Sequence, residues 1–233
     1  MTTRVIALGG SLLRPEEKEA RATWLGRFRQ MAVHLEGLDI KLALVVGGGA
    51  PAREGIELAK HCITNPDRLD TIGIKATRLN ATILQQIMLD IGSDVAEVIP
   101  TSTDEAKDLL ASHKFVVMGG TMPGHTTDAV AVELASKCEA SRAIIATNVA
   151  YVYDSDPREN INAVPLKELT LQALSEIIGD DLTPGASTVV DPIAVTWAAA
   201  SNLEIAVLDG RDFDRIEAAI EGQPFEGTII RTD

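Results

Sequence analysis

Short apolar runs recur along the chain, each closed by glycine or small polar residues and followed by a longer stretch with helical spacing. Residues 4–8 (RVIAL), 42–46 (LALVV), 115–117 (FVV), 141–147 (SRAIIAT) and 204–208 (EIAVL) read as strands buried on both faces, since they lack polar alternation. A shorter strand is predicted near residues 95–99 and a last one at residues 227–230. Between them, residues 16–38 place Trp24, Leu25, Phe28, Met31, Ala32 and Leu35 on one side of a long amphipathic helix, a core face or a subunit contact. Residues 65–90 give a helical region interrupted at Gly73, with Leu69, Ile72, Ile74, Leu79, Ile83, Leu84 and Ile87 on its apolar side. Asp70, Thr77, Arg78 and Asn80 are its polar residues that could turn inward; taken alone they read as a solvated face. Further helices are predicted near Pro51, from Thr103, over residues 167–178 and 189–200, and through Ile220, with a small-residue loop at residues 184–188. Strands alternating with helices predict a largely parallel sheet covered on both faces.

Three strand-to-helix junctions are rich in glycine: Gly9, Gly10 and Ser11 after the first strand, Gly47, Gly48 and Gly49 after the second, and the stretch 118–135, MGGTMPGHTTDAVAVELA. Glycine permits close backbone approach, and a helix N-terminus favours an anion through its free N–H groups and dipole. Thr126 and Thr127 suit a helix cap, and Asp128 falls in the first turn. One such junction is an ordinary turn as readily as a binding site. Three of them, with Arg53 placed to fork onto a phosphate, favour an anion site.

With 233 residues and 45% hydrophobic content the chain can bury one substantial core, consistent with a single domain over residues 1–233. The formal net charge of −13 argues against a nucleic-acid polymer as partner, because a phosphate backbone needs a basic face. A small phosphorylated ligand, whose charge is met locally, is compatible with it. There is no apolar stretch of about 18 residues and no charged region leading into an apolar signal core, so neither a membrane span nor a secretory leader is expected and a cytoplasmic setting is. Cys62 and Cys138 have neither the number nor the spacing of a disulfide framework or zinc site, and both are expected to be buried apolar fillers.

Six blocks in order carry a family resemblance: LGGS at 8–11, VVGGGAPAR at 45–53, LDTIGIKATRLNA at 69–81, MGGTMPGHTTDAVA at 118–131, ATNVAYVYDSDPR at 146–158 and VVDPIA at 189–194. Together they resemble the amino acid kinase superfamily, and within it the archaeal-type uridylate kinases. The resemblance implies a three-layer α/β/α sandwich that transfers the γ-phosphoryl group of ATP to UMP with Mg2+, the N-terminal half holding the acceptor and the C-terminal half ATP. It implies that Gly47, Gly48, Gly49 and Arg53 hold the UMP phosphate, and that Asp70, Thr77, Thr121, Thr126 and Thr127 place the ribose and base. Gly9, Gly10 and Ser11 would approach the transferring phosphates and Asp128 would organise the reacting centre, making Asp128, Gly10 and Arg53 the catalytic set. Thr147, Asn148, Tyr153, Asp156 and Pro157 would line the adenine and ribose pocket. No side chain is assigned as a metal ligand, and a homo-oligomer, hexameric in the related kinases, is implied.

Three positions depart from the pattern. Many superfamily members carry a lysine two residues before the first glycine pair, where this chain has Ala7; Arg4, Arg14 and Lys18 are the candidate replacements. Ala150 and Tyr151 stand where an acidic residue and a glycine are usual, and the helix after VVDP lacks the usual lysine, reading Ile193, Ala194, Val195, Thr196, Trp197. Two of the three fall on the ATP side. The alternatives are therefore a sensor or storage relative that binds nucleotide or oxyanion without transfer, and a related kinase with another small acceptor.

Overall fold

A computed structural model describes residues 1–14, 18–157, 159–178 and 189–232. In chain order the elements are β1 (Thr2–Leu8), α1 (Gly10–Leu13), α2 (Lys18–Glu36), β2 (Ile40–Val46), α3 (Gly49–Ala59), α4 (Pro66–Asp90), α5 (Thr103–Ser112), β3 (Phe115–Met118) and α6 (Thr127–Lys137). They continue with β4 (Arg142–Thr147), β5 (Val152–Tyr153), β6 (Pro165–Leu166), β7 (Glu168–Thr170), α7 (Leu171–Ile178), α8 (Pro192–Ser201), β8 (Glu204–Asp209), α9 (Phe213–Glu221) and β9 (Thr228–Arg231).

Seven strands form one sheet in the order β3-β2-β1-β4-β8-β9-β7. All neighbouring pairs are parallel except β8 with β9. The buried runs supply side chains to both faces alternately, as a strand must. Val5, Ala7, Val45, Val116, Ile145 and Val207 face a layer built from α5, α6, α7 and α8. Ile6, Leu8, Leu44, Val117, Ile144 and Leu208 face α2, α4 and α9. The result is the expected three-layer α/β/α sandwich. Trp24, Phe28, Met31 and Leu35 of α2 are buried in the second layer, so this face is core and not a subunit contact.

Five local expectations are corrected. Residues 95–99 form no strand: Val95 makes an isolated bridge to Phe115, Ala96 N–H donates to Phe115 O, and the chain then turns outward with Val98 53% exposed. Helix α4 runs unbroken through Gly73, where a Cβ would meet Ile56 of α3 at an ordinary 3.5 Å; the close approach of the two helices is at Gly55, whose Cβ would stand 2.8 Å from Ile72. Residues 168–170 are the edge strand β7, so α7 starts at Leu171. A two-stranded hairpin, β5 with β6, stands off the main sheet and had no counterpart in the hydrophobic pattern. Of the two cysteines expected to be buried, Cys138 is half-buried and Cys62, just past α3, is exposed. The predicted loop at residues 184–188 lies outside the described residues.

Because β3, β2, β1, β4 and β8 run in one direction, the loops after Leu8, Val46, Met118, Thr147 and Asp209 gather at one edge. The chain builds outward from β1 to β3 and then returns to place β4 on the other side of β1. Such a reversal opens a crevice at the carboxyl ends of the strands, where open α/β sheets bind ligands.

Candidate active site

At that edge the backbone is stitched from loop to loop. Gly47 N–H donates to Leu8 O (2.8 Å), Gly9 N–H to Ala146 O (2.9 Å) and Gly210 N–H to Thr147 O (2.7 Å). The first two glycine junctions interlock: a Cβ on Gly10 would stand 2.6 Å from the Gly47 carbonyl and overlap Gly49 N. Gly49 itself has a φ of +59°, which disfavours any other residue. Part of the glycine signal therefore reflects loops packed backbone to backbone, which also brings Gly10 and Ser11 against the start of α3.

Helix α4 holds two of these loops through polar residues that the helical pattern by itself would leave in solvent. Asn80, fully buried, donates from Nδ2 to Gly47 O (2.8 Å) and Gly48 O (3.0 Å). Thr77 Oγ1 accepts from Gly120 N–H (2.7 Å) and donates to Ile74 O (2.6 Å). The Arg78 guanidinium donates to Gly120 O (3.1 and 3.2 Å) and Thr121 O (3.3 Å), and Asp70 Oδ2 accepts from Gly124 N–H (2.9 Å). Thr77 and Asp70 are thus brought to the site, with Thr77 acting on the loop. Gly119 lets this happen, since a Cβ there would lie 2.8 Å from Arg78 N.

The loop then enters α6, capped by Thr126, whose Oγ1 accepts from Ala129 N–H (3.2 Å), with Thr127 as the first helical residue. Asp128, in the first turn, retains some open surface, yet its carboxyl is pushed up to about 7. Desolvation is the main cause and the neighbouring Asp191 carboxylate the second, partly offset by a hydrogen bond from the Asp191 backbone. Asp191 caps α8, accepting from Ile193 and Ala194 N–H (2.7 and 3.2 Å). Arg53, one turn into α3, is exposed and makes no hydrogen bond or ion pair among the described residues.

On the other side of the crevice a cavity of about 600 Å3 is lined by Thr147, Asn148, Tyr153, Asp156 and Pro157, the five residues expected around adenine and ribose. Ala150, Leu174 and Arg211 complete much of its wall. Tyr151 does not have a positive φ, so tyrosine in place of glycine is unstrained there. Its ring packs edge-on against Tyr153, centroids 6.3 Å apart. Thr228, fully buried on β9, accepts from Val152 N–H (2.9 Å) and donates to Leu166 O (2.6 Å), which fixes the hairpin that carries Tyr153.

Arg211, in the turn after β8, is a cavity residue that the sequence analysis did not single out. It forks onto Asp209, Nε to Oδ1 at 2.8 Å and Nη2 to Oδ2 at 2.6 Å. Burial raises the Asp209 pKa, but these bonds from Arg211 outweigh it and the net shift is downward. Of the candidate replacements for the absent lysine, Ala7 itself is core and Arg4 donates to Ile220 O (2.9 Å), its charge facing Arg142 at the opposite strand ends. The Lys18 side chain lies outside the described residues. Arg14 reaches the site: its Nε donates to Asn80 Oδ1 (3.1 Å).

Residues 2–209 match the amino acid kinase family. The chain belongs to that family. Family members most like it include the uridylate kinase of Methanococcus vannielii, 37% identical over 227 residues, covering 97% of this chain and 98% of that one. That of Methanocaldococcus jannaschii is 36% identical with the same coverage. Among solved structures, uridylate kinase from Archaeoglobus fulgidus superposes with a TM-score of 0.84 at 35% identity, covering 99% of this chain and all of that one. UMP kinase from Bacillus anthracis shares the family fold, TM-score 0.82 at 21% identity, covering 100% of this chain and 96% of that one.

Proposed function

We propose that this family member is a UMP kinase that transfers the γ-phosphoryl group of ATP to UMP, giving UDP and ADP for pyrimidine nucleotide synthesis. One observation carries the reading. The acceptor cluster on α3, α4 and the residue 119–126 loop, and the cavity of about 600 Å3, meet at Gly9 and Gly10 on adjoining strand ends. Full-length relatives named uridylate kinase support the choice of UMP.

In this assignment the N-terminal half holds UMP, its phosphate on Gly48, Gly49 and Arg53 and its ribose and base beside Asp70, Thr121, Thr126 and Thr127. ATP occupies the C-terminal cavity, its base near Tyr153 and Pro157 and its phosphates directed to Gly9, Gly10 and Ser11. An oxygen of the UMP phosphate attacks Pγ of ATP, the bond from Pγ to the β,γ-bridging oxygen breaks, and ADP leaves with that electron pair. The nucleophile is already ionised, so no side-chain base is needed. The protein's task is in-line positioning and stabilisation of charge on the equatorial oxygens.

Magnesium enters with the nucleotide in this proposal. Among the described residues there is no group of three or more acidic, histidine or cysteine side chains placed to hold a metal. The Asp128 and Asp191 carboxylates, close enough for one to raise the other's pKa, fit an ion that takes one or two carboxylates and completes its shell with phosphate and water. Bound there, it would supply charge neutralisation at the transferring phosphates. A cytoplasmic homo-hexamer is part of the same proposal, the assembly to be read by light scattering on the purified protein.

An ADP-release assay with ATP and magnesium, comparing UMP, CMP, dUMP, GMP and no acceptor, tests the reading. Turnover strongest with UMP, lost in Arg53→Ala and Asp128→Ala, is expected. A UMP-induced rise in Tm without turnover on any acceptor would favour the non-catalytic sensor reading, and preference for another acceptor the related-kinase reading.

A further inference from the structure

We infer that Arg14 is a second cation for the acceptor phosphate, gripping it from α1 opposite Arg53 on α3. This rests on the kinase reading and adds to it a binding residue peculiar to the sequence following the first glycine pair. Three observations carry it. Arg14 ends the single turn that starts at Gly10, and Gly10 is locked against Gly47 and Gly49, so its backbone cannot drift from the acceptor loop. Asn80 spends both its Nδ2 hydrogens on Gly47 O and Gly48 O, which turns its Oδ1 toward Arg14 and anchors Nε at 3.1 Å. The two Nη groups of Arg14 make no hydrogen bond or ion pair among the described residues, and they are not sealed in the core.

The anchor's chemistry matters. Asn80 is neutral, so it aims the guanidinium without cancelling its charge. Arg27, Arg142, Arg211, Arg215 and Arg231 each pair with an aspartate or glutamate, as expected in a chain with 34 acidic and 21 basic residues, while Arg4 at the far strand ends is held by the Ile220 carbonyl. At the acceptor loops Arg14, Arg53 and Arg78 are held by neutral groups or left free. An uncancelled guanidinium fork beside glycine N–H groups suits a phosphate dianion, which must be brought against the more highly charged ATP.

Arg14→Ala and Arg14→Lys, assayed with UMP and ATP varied separately and melted with each nucleotide, test this. For Arg14→Ala the expected KM for UMP rises about 10- to 100-fold, the size of a lost charged hydrogen bond. The KM for ATP and the ligand-free Tm stay near wild type, the UMP-induced Tm rise is lost, and lysine restores part of it. An unchanged UMP KM overturns the inference. So does a fall in ligand-free Tm with both KM values rising together, which marks a purely structural residue. Should wild-type protein bind UMP without phosphorylating it while Arg14→Ala loses that binding, the kinase reading fails and the Arg14 site stands. Should wild type phosphorylate UMP and Arg14→Ala match it, only the Arg14 site fails.

Discussion

Asp128, proposed to organise the reacting centre, strains the fold that holds it. Its carboxyl titrates near 7 in the folded protein against about 3.8 when free. Between those values the folded state binds more protons than the unfolded one, so stability falls as pH rises through this window, and the full cost is present above pH 7. Asn at 128 keeps an oxygen for the Asp191 backbone N–H and removes the charge. Asp128→Asn is therefore expected to raise the Tm at pH 8, with a gain on the order of 2–4 kcal/mol, while abolishing phosphoryl transfer. Thermal melts from pH 4 to pH 8 should show the two proteins converging at the acid end. A variant less stable than wild type at pH 8 would mean that Asp128 is compensated by a partner. The sequence placed Asp128 in a first helical turn, where a carboxylate ordinarily serves the dipole. It could not show Asp191 opposite, because that residue arrives on α8, 63 positions later.

At the scale of elements, α4 is where sequence reading fell short and where the structure is most informative. Periodicity reports which side of a helix is apolar, but of the seven apolar residues it picked only Leu84 is buried and Leu79 is 53% exposed; the buried side is Thr77, Asn80, Ala81, Leu84, Gln85 and Met88. It does not report that the polar side will meet backbone from a remote loop. Thr77, Arg78 and Asp70 are satisfied by Gly120, Thr121 and Gly124, more than forty residues away. The Gly73 interruption was overruled within a 25-residue helix: a glycine costs a helix about 1 kcal/mol, which the rest of α4 and its packing outweigh. The glycine loops were legible because their chemistry is local; Tyr153, Asp156 and Pro157, singled out only through the resemblance, line the cavity. Arg211 was not legible, since a turn after a strand gives no hint of what it faces. Thr77→Val tests the α4 brace. It leaves Gly120 N–H buried without an acceptor, which costs about 1–3 kcal/mol, and frees the loop leading to Thr126 and Asp128. Turnover should fall while the ATP-induced Tm rise persists, and Thr77→Ser, keeping the hydroxyl, should restore it. Wild-type kinetics in Thr77→Val would show that the loop is held without α4.

For the whole molecule the governing quantity is charge. The net charge of −13 means that exposed carboxylates repel one another in the folded state more than in the expanded chain. Against this stand surface ion pairs such as Arg27 with Asp214, Lys137 with Asp104 and Arg231 with Glu168. Each such exposed pair contributes about 0–1 kcal/mol, and salt weakens these as well. The sign of the salt effect therefore decides which term is larger. With 34 acidic against 21 basic residues, at least 13 carboxylates have no cation to themselves, so repulsion prevails and screening should stabilise the fold. The ligand-free Tm at pH 8 is expected to rise as ionic strength goes from about 0.01 M to 0.15 M, where the Debye length shrinks from about 30 Å to about 8 Å. Sodium, potassium and choline chlorides should act alike if the effect is screening, and the rise should shrink near pH 4 as the carboxylates take up protons. A Tm that falls with salt would place the ion pairs above the repulsion. A rise specific to one cation would point instead to a bound ion, with the facing carboxylates of Asp128 and Asp191 the first place to look.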